Sequence, residues 1–365
     1  MEYIETILAQ IGNRKDKRTG AVEAPIYLST AYQHPTLGQS TGYDYSRTAN
    51  PTREIVEEAI AKLEQGIQGF ACSSGMAAIH LVFSLFQKND EILVSEDIYG
   101  GTYRLFQHYE QSYQIKPIYA ETDHFENHLT SNTKAIFIET PTNPLLLEIN
   151  IGEIASFAKK HDLLLIVDNT FYTPYLQQPL TEGADIVVHS ATKYLGGHND
   201  VLAGLVVVNN QSLADKLFYL HNAIGAVLSP LDSMLLIRGM KTLSLRMEKQ
   251  QENAKHLAAF LLSISDIKDV LYPGKGAMIS FRVSRADIIP NFLENLKIIS
   301  FAESLGGVES FITYPATQTH GDIPKEERER RGICDRLLRF SVGIEHVEEL
   351  KQDIQQALGG SKNDL

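Results

Sequence analysis

Between residues 70 and 208 the chain alternates short, nearly unbroken apolar runs with stretches of helical periodicity. FACSS begins at Phe70; ILVS spans 92–95, KAIFIET 134–140, LLLIVD 163–168, ADIVVHS 184–190 and LAGLVVV 202–208. Runs this short and this rich in β-branched residues read as strands, and apolarity on both strand faces means that both are covered. About six such runs with helices between them predict an α/β fold built on a mostly parallel central sheet. The intervening helices are equally legible. Ile55, Val56, Ala59, Ile60 and Leu63 line one face of a helix that starts at Asn50-Pro51-Thr52 and runs to about Gln65, with proline suited to its first turn. Others open at Gly75-Met76, after Tyr99-Gly100-Gly101, and over 152–160.

From about Gln211 helical periodicity dominates, and Leu243, Met247, Ala254, Leu257, Ala258 and Leu261 make 239–263 a long connecting helix. Beyond Pro273 come strands at 278–283 (MISFRV), 296–301 (LKIISF) and 337–343 (LLRFSVG), a helix between the first two, and a closing helix over 346–358. This part reads as a smaller α+β domain. Residues 359–365, GGSKNDL, look like a frayed tail. Residues 1–50 carry little periodicity and much Gly, Thr, Ser and Tyr, which suggests an arm that is functional or packed on a partner subunit. The expected organisation is therefore an arm at 1–50, a large domain at 51–240 and a small one at 241–365.

Composition narrows the function. A chain of 365 residues with 43% apolar content has enough material for two domains with cores. Its net charge of −12 argues against a nucleic-acid partner, because phosphate binding needs a basic surface. There is no run of 18 apolar residues and no basic-then-apolar leader pattern, so a soluble, cytoplasmic protein with no membrane partner is expected. Cys72 and Cys334 are too few for a disulfide scaffold or zinc cluster, and Cys72 is expected to be packed. His189, His198 and His320 fit no common metal-ligand spacing, and no metal is expected. No G-x-G-x-x-G follows the early strands, which speaks against a dinucleotide.

Chemistry concentrates at the strand ends, where ligands bind on such sheets. Lys193 follows ADIVVHS and precedes Gly196-Gly197, the position expected of a Schiff-base lysine kept neutral by burial and nearby positive charge. Asp168 ends the most apolar strand; a buried carboxylate there needs a cationic partner and would suit a cofactor's pyridine nitrogen. SSGM opens a helix whose N–H groups at Gly75 and Met76 favour an anion, with Ser190 and Thr192 as further donors. Arg339 sits inside the apolar strand LLRFSV and needs an anionic partner.

The ordered pieces YDYSRTANPTR, SSGMAA, DIYGGTYRLF, ETPTNPL, VDNTFYTP, HSATKYLGGH, ESLGGVESF and LLRFSVGIE resemble the cystathionine γ-synthase branch of the Cys/Met-metabolism enzymes that use pyridoxal 5′-phosphate (PLP). The resemblance extends from about residue 5 to 358. It implies fold type I, the PLP-dependent transferase architecture of aspartate aminotransferase. It implies Lys193 as the cofactor-bearing lysine, Asp168 opposite the ring nitrogen, and Gly75, Met76, Ser190 and Thr192 at the phosphate. Tyr45 and Arg47 would complete the phosphate site of a neighbouring subunit, so a homodimer is the minimum and a tetramer the usual state. Tyr99 would stack on the ring and assist proton transfer, and Arg339 would clamp the substrate carboxylate. Asn143 would lie near the cofactor hydroxyl or that carboxylate, Ser304 would orient the lysine, and Glu309 would meet a cysteine-derived amino group. The implied reaction joins O-acetyl- or O-succinylhomoserine to cysteine, or to sulfide, and the alternative is a cystathionine γ- or β-lyase. Gly101 stands where methionine γ-lyases carry a cysteine, and THGDIP (Thr319–Pro324) departs from the family's more usual THASVP.

Overall fold

A computed structural model describes residues 2–321 and 323–359. The expected tail at 359–365, apart from Gly359, lies outside the described residues, as does Asp322 of THGDIP. The elements run α1 (Ile4–Ala9), α2 (Pro51–Leu63), β1 (Gln68–Cys72), α3 (Gly75–Phe83), β2 (Glu91–Ser95), α4 (Gly100–Tyr113), β3 (Lys116–Ala120), β4 (Thr133–Glu139), α5 (Ile151–Lys160), β5 (Leu164–Asp168), α6 (Thr173–Leu176), β6 (Ile186–Ser190), β7 (Gly204–Val208), α7 (Gln211–Ile224) and α8 (Pro230–Met240). They continue with α9 (Leu243–Leu262), β8 (Ile267–Leu271), β9 (Met278–Val283), α10 (Ile289–Asn295), β10 (Ser300–Phe301), β11 (Phe311–Thr313), α11 (Lys325–Arg330), β12 (Leu337–Ser341) and α12 (Val347–Ala357). The chain forms two compact units. One comprises Met1–Val94, Leu105–Ile138 and Asn150–Ser244; the other comprises Ser95–Arg104, Glu139–Ile149 and Leu245–Leu365.

The first unit is organised around a seven-stranded sheet in the order β1-β7-β6-β5-β4-β2-β3. β2 and β4 pair parallel, as do β5 and β6, whereas β7 runs antiparallel to both β1 and β6. Ile166, Val167, Ile186, Val187 and the whole of Leu205–Val208 are fully buried, as expected of strands covered on both faces. β3, an edge strand, was not expected; Pro117 within it is tolerated because an edge leaves one side of the ladder free. Asn50 caps α2 by accepting from the N–H groups of Thr52 and Arg53, and Pro51 occupies the first turn, which fixes where that helix begins. Arg53, on the same turn, is buried and donates to the carbonyls of Ser46, Arg47 and Thr48, tying down the end of the arm.

In the second unit a five-stranded sheet, β10-β11-β12-β9-β8, packs against α9, α10 and α12 through a core that includes Leu257, Leu261, Phe281, Phe292, Leu338, Phe340 and Ile354. The strand expected over 296–301 is corrected to the two residues of β10. The cause is Asp353 of α12, a buried carboxylate that accepts hydrogen bonds from the backbone of Lys297, Ile298 and Ile299. Those N–H groups are spent on a side chain and not on a neighbouring strand. The connecting helix is likewise shorter than expected, since α8 ends at Met240 and α9 starts at Leu243.

Candidate active site

In the first unit, β5 and β6 deliver their last residues side by side, Asp168 pairing in register with Val188. Asp168 Oδ1 accepts from Thr170 N–H at 3.0 Å and from the Thr170 hydroxyl at 2.5 Å. The same hydroxyl accepts from Ser190 N–H at 2.8 Å, so one threonine links the two strand ends. Burial raises the pKa of the Asp168 carboxyl; the Thr170 bonds and the charge of His189 oppose that shift without cancelling it. Such a carboxylate gains from a cationic partner.

Gly75 opens α3 directly over Ser190. A Cβ built at 75 would stand 2.8 Å from the Cβ of Ser190. Close approach continues on β7, where a Cβ at Gly204 would fall 1.9 Å from the carbonyl oxygen of Ser74. Glycine at both positions lets the N-terminus of a nine-residue helix, whose Ala77 N–H is capped by the Ser74 hydroxyl, lie against the end of the sheet. The structure thus brings Gly75 and Ser190 together, and Met76 follows on the same first turn. Thr192 is occupied differently: its hydroxyl donates to Ala203 O at 3.2 Å and accepts from Ala203 N–H at 3.0 Å. Presenting that hydroxyl to an anion requires it to turn. Half-buried Lys193 sits in a tight turn, its own carbonyl accepting from Gly197 N–H at 2.8 Å. Arg47 is placed elsewhere on this unit, donating to the backbone and side-chain oxygens of Asn222 while its guanidinium lies 5.6 Å from the ring centroid of half-exposed Tyr45.

The second unit gathers Arg339, Asn143 and Ser304. Buried Arg339 donates to Asn143 Oδ1 at 2.8 Å, Thr313 Oγ1 at 3.0 Å and Ser304 O at 3.3 Å. Asn143 is held from behind, its backbone oxygen 3.1 Å from His320 Nε2. Burial, and then the charge of Arg339, lower the pKa of His320 to about 4, so the imidazole is neutral at pH 7. Its Nδ1 lies 2.9 Å from the Thr319 hydroxyl, which accounts for the first two residues of THGDIP as a support for Asn143. Tyr99 N–H donates to Glu139 Oε2 at 2.8 Å, and a Cβ at Gly101 would stand 2.4 Å from the Tyr99 ring. A side chain at 101 therefore forces the ring to move, which gives the glycine a steric reason.

Some residues were not singled out in the sequence. The Tyr99 phenol has its pKa raised first by burial and then by the charge of Glu303. Glu303 belongs to the quoted piece ESLGGVESF, from which only Ser304 and Glu309 were chosen; both glutamates are exposed. Asp97 is buried, and burial raises its carboxyl to about 6. The Thr142 hydroxyl, Leu145 N–H and the Arg331 charge oppose this only in part, since neither carboxylate oxygen makes a well-formed hydrogen bond. Thr170 and Glu64 were missed as well, both identifiable only once the strands are aligned.

Residues 5–359 match the Cys/Met metabolism PLP-dependent enzyme family, and the chain belongs to it. It is 62% identical over 360 residues to the cystathionine gamma-synthase/O-acetylhomoserine (thiol)-lyase of Bacillus subtilis (strain 168), covering 98% of this chain and 96% of that one. It is 59% identical over 363 residues to the cystathionine gamma-synthase of Haemophilus influenzae, with 98% of each chain covered. Among solved structures, the cystathionine gamma synthase of Xanthomonas oryzae pv. oryzae in complex with aminoacrylate and cysteine superimposes with a TM-score of 0.96, at 38% identity over 98% of each chain. The fold is that of the type I PLP enzymes, and the protein is a PLP-dependent enzyme. The first unit fits the cofactor: a carboxylate strained by burial suits a pyridinium, and the glycine-lined helix N-terminus beside Ser190 suits a phosphate. Among the described residues no helix is long and apolar enough to cross a membrane.

Proposed function

We propose that this chain is a cystathionine γ-synthase that replaces the γ-acyloxy group of O-acetyl- or O-succinyl-L-homoserine with the sulfur of L-cysteine. The products are L-cystathionine and the carboxylate, and sulfide in place of cysteine gives homocysteine. The Cγ–O bond breaks, a C–S bond forms, and the thiol proton is released to solvent. The likeness to the Bacillus subtilis enzyme along nearly the whole chain carries this reading.

PLP, when bound, supplies an electron sink and a carbonyl with which amines condense. Asp168 pairs with the ring nitrogen and keeps it protonated. Gly75, Met76 and Ser190 hold the phosphate, joined by Thr192 after its hydroxyl turns. Lys193 would hold the cofactor and give way to the substrate amine; once free it would take the Cα proton, pass it on, then take a proton from Cβ, and return protons to Cβ and Cα after the thiol has added. Arg339, its fork already ordered by Asn143, Ser304 and Thr313, binds the substrate α-carboxylate in the planar two-point geometry that lysine cannot supply. Tyr99 would supply an aromatic face to the ring, and Ser304 would orient the lysine. The amino group of incoming cysteine would meet a carboxylate at Glu303 or Glu309; the effect of the Glu303 charge on the Tyr99 phenol favours Glu303. Tyr45 and Arg47 serve a neighbouring subunit, so the active form is at least a homodimer and is taken to be a tetramer in the cytoplasm. Residues 1–50 then act as an intersubunit arm, with 51–240 binding the cofactor and 241–365 forming the smaller domain.

The test is direct competition between reactions. Purified holoenzyme is given acetyl, succinyl and phospho esters of homoserine, each with cysteine and with sulfide, and separately cystathionine alone. Faster consumption of O-acetyl- or O-succinylhomoserine with cysteine is expected. Faster breakdown of cystathionine to an oxo acid and a thiol would make the chain a lyase.

A further inference from the structure

Behind the strand ends lies a buried carboxylate that the reaction as described does not use. Glu64 sits at the C-terminal end of α2, fully buried, with Oε1 2.7 Å from His189 Nε2 and 2.9 Å from Asn169 Nδ2. Its two partners are the chain neighbours of the residues that face the cofactor. Asn169 follows Asp168, and His189 precedes Ser190. Asn169 N–H continues the ladder to Val188 O at 3.0 Å, so the backbone is still extended there, and successive side chains leave on opposite faces. Asp168 and Ser190 thus point to one face, Asn169 and His189 to the other, where a single carboxylate grips both.

This arrangement is costly for the fold. A carboxylate is disfavoured at the negative end of a helix. Glu64 Oε2 and His189 Nδ1 are both buried without a hydrogen-bond partner, and a well-packed apolar pair would serve stability as well or better. We propose that Glu64 is a positioning residue for the cofactor: from the opposite face it fixes the separation of the β5 and β6 ends, and with it the spacing between Asp168 and Ser190. The proposal rests on the reading that Asp168 and Ser190 hold the ring nitrogen and the phosphate. His189 adds an electrostatic contribution, since its charge reaches Asp168 and opposes the effect of burial there. Around the pair, Asn169 is fixed in turn by Gln177, whose backbone oxygen accepts from Asn169 Nδ2 at 2.9 Å. Glu64, His189 and Asp168 are therefore the ionisable groups in play.

E64Q keeps size and an acceptor oxygen while removing the carboxylate's charge, and H189Q replaces the imidazole with a neutral amide. D185N is the control, because half-buried Asp185 joins the opposite ends of the same two strands by accepting from Leu165 N–H at 2.8 Å. Each apoenzyme is titrated with PLP, and the visible absorbance of each holoenzyme is followed against pH. PLP affinity is expected to fall about tenfold in E64Q, the difference between a hydrogen bond to a charged group and one to a neutral group, with the absorbance titration displaced in E64Q and H189Q. D185N should bind PLP as wild type does, whatever its thermal stability. Wild-type affinity and an unmoved titration in E64Q, or an equal loss in D185N, would overturn the proposal. Should E64Q not fold, H189Q decides by its absorbance titration alone. A wild-type chain with no saturable PLP band would sink the cofactor reading itself, whereas a normal wild-type band with unchanged variants defeats only the role of Glu64.

Discussion

Asp168 and Arg339 are buried charges at strand positions in different units, and the chain treats them in opposite ways. Asp168 receives two donors on one oxygen, both from Thr170, and burial still dominates its ionisation. Arg339 donates to the oxygens of Asn143, Ser304 and Thr313, which orient its fork. The lesson concerns preorganisation. An acid meant for a permanent cation can be left short of partners, whereas an arginine meant for passing carboxylates must hold its shape between them.

The contrast can be broken most severely at the lysine. K193A should retain the fold, checked by circular dichroism and melting temperature, and lose turnover by about a thousandfold or more; near wild-type synthesis would remove Lys193 from the mechanism. Next is R339K, which keeps the charge and discards the fork. KM for the amino-acid substrate should rise by about ten- to a hundredfold with PLP affinity unchanged, and an equal fall in PLP affinity would erase the division of labour.

Asp97 asks whether the second unit also leaves an acid under-supported. Its carboxyl is raised to about 6 from 3.8, so the folded chain holds that proton more tightly than the unfolded chain. Stability owed to this group is therefore highest in acid, declines as pH rises from about 4 to about 6, and is level above that window. Relative to wild type, D97N should gain about 3 kcal/mol of unfolding free energy across the window, measured by urea denaturation at several pH values. A difference that does not vary with pH would refute it. The smallest effect is expected from E303A, a severalfold rise in KM for cysteine with sulfide kinetics unchanged, while E309A leaves both alone. The reverse result would return the role to Glu309.

The legible part of this molecule is the part where one side chain's type fixes its surroundings. LLLIVD and DIVVHS could only be buried strands, and a lysine, an aspartate and a glycine at strand ends stood out because apolar sequence surrounds them. Direction was not encoded: LAGLVVV reads the same for parallel and antiparallel pairing, and β7 turned out reversed. Short strands beside longer neighbours also escaped, since β8 (IKDVL) and β11 (FIT) have too little alternation to stand out. The supports Thr170, Glu64 and His320 act on groups far away in sequence; Glu64 and His189 are 125 residues apart. No local pattern registers such a pair.

Asp353 has a consequence beyond shortening a strand. The sheet of the second unit ends at β10, and an open margin is where foreign chains add themselves. By occupying the amides of residues 297–299, the carboxylate takes away the donors a visiting strand would need. One acidic side chain thus doubles as a guard against self-association of the kind that ends in fibres.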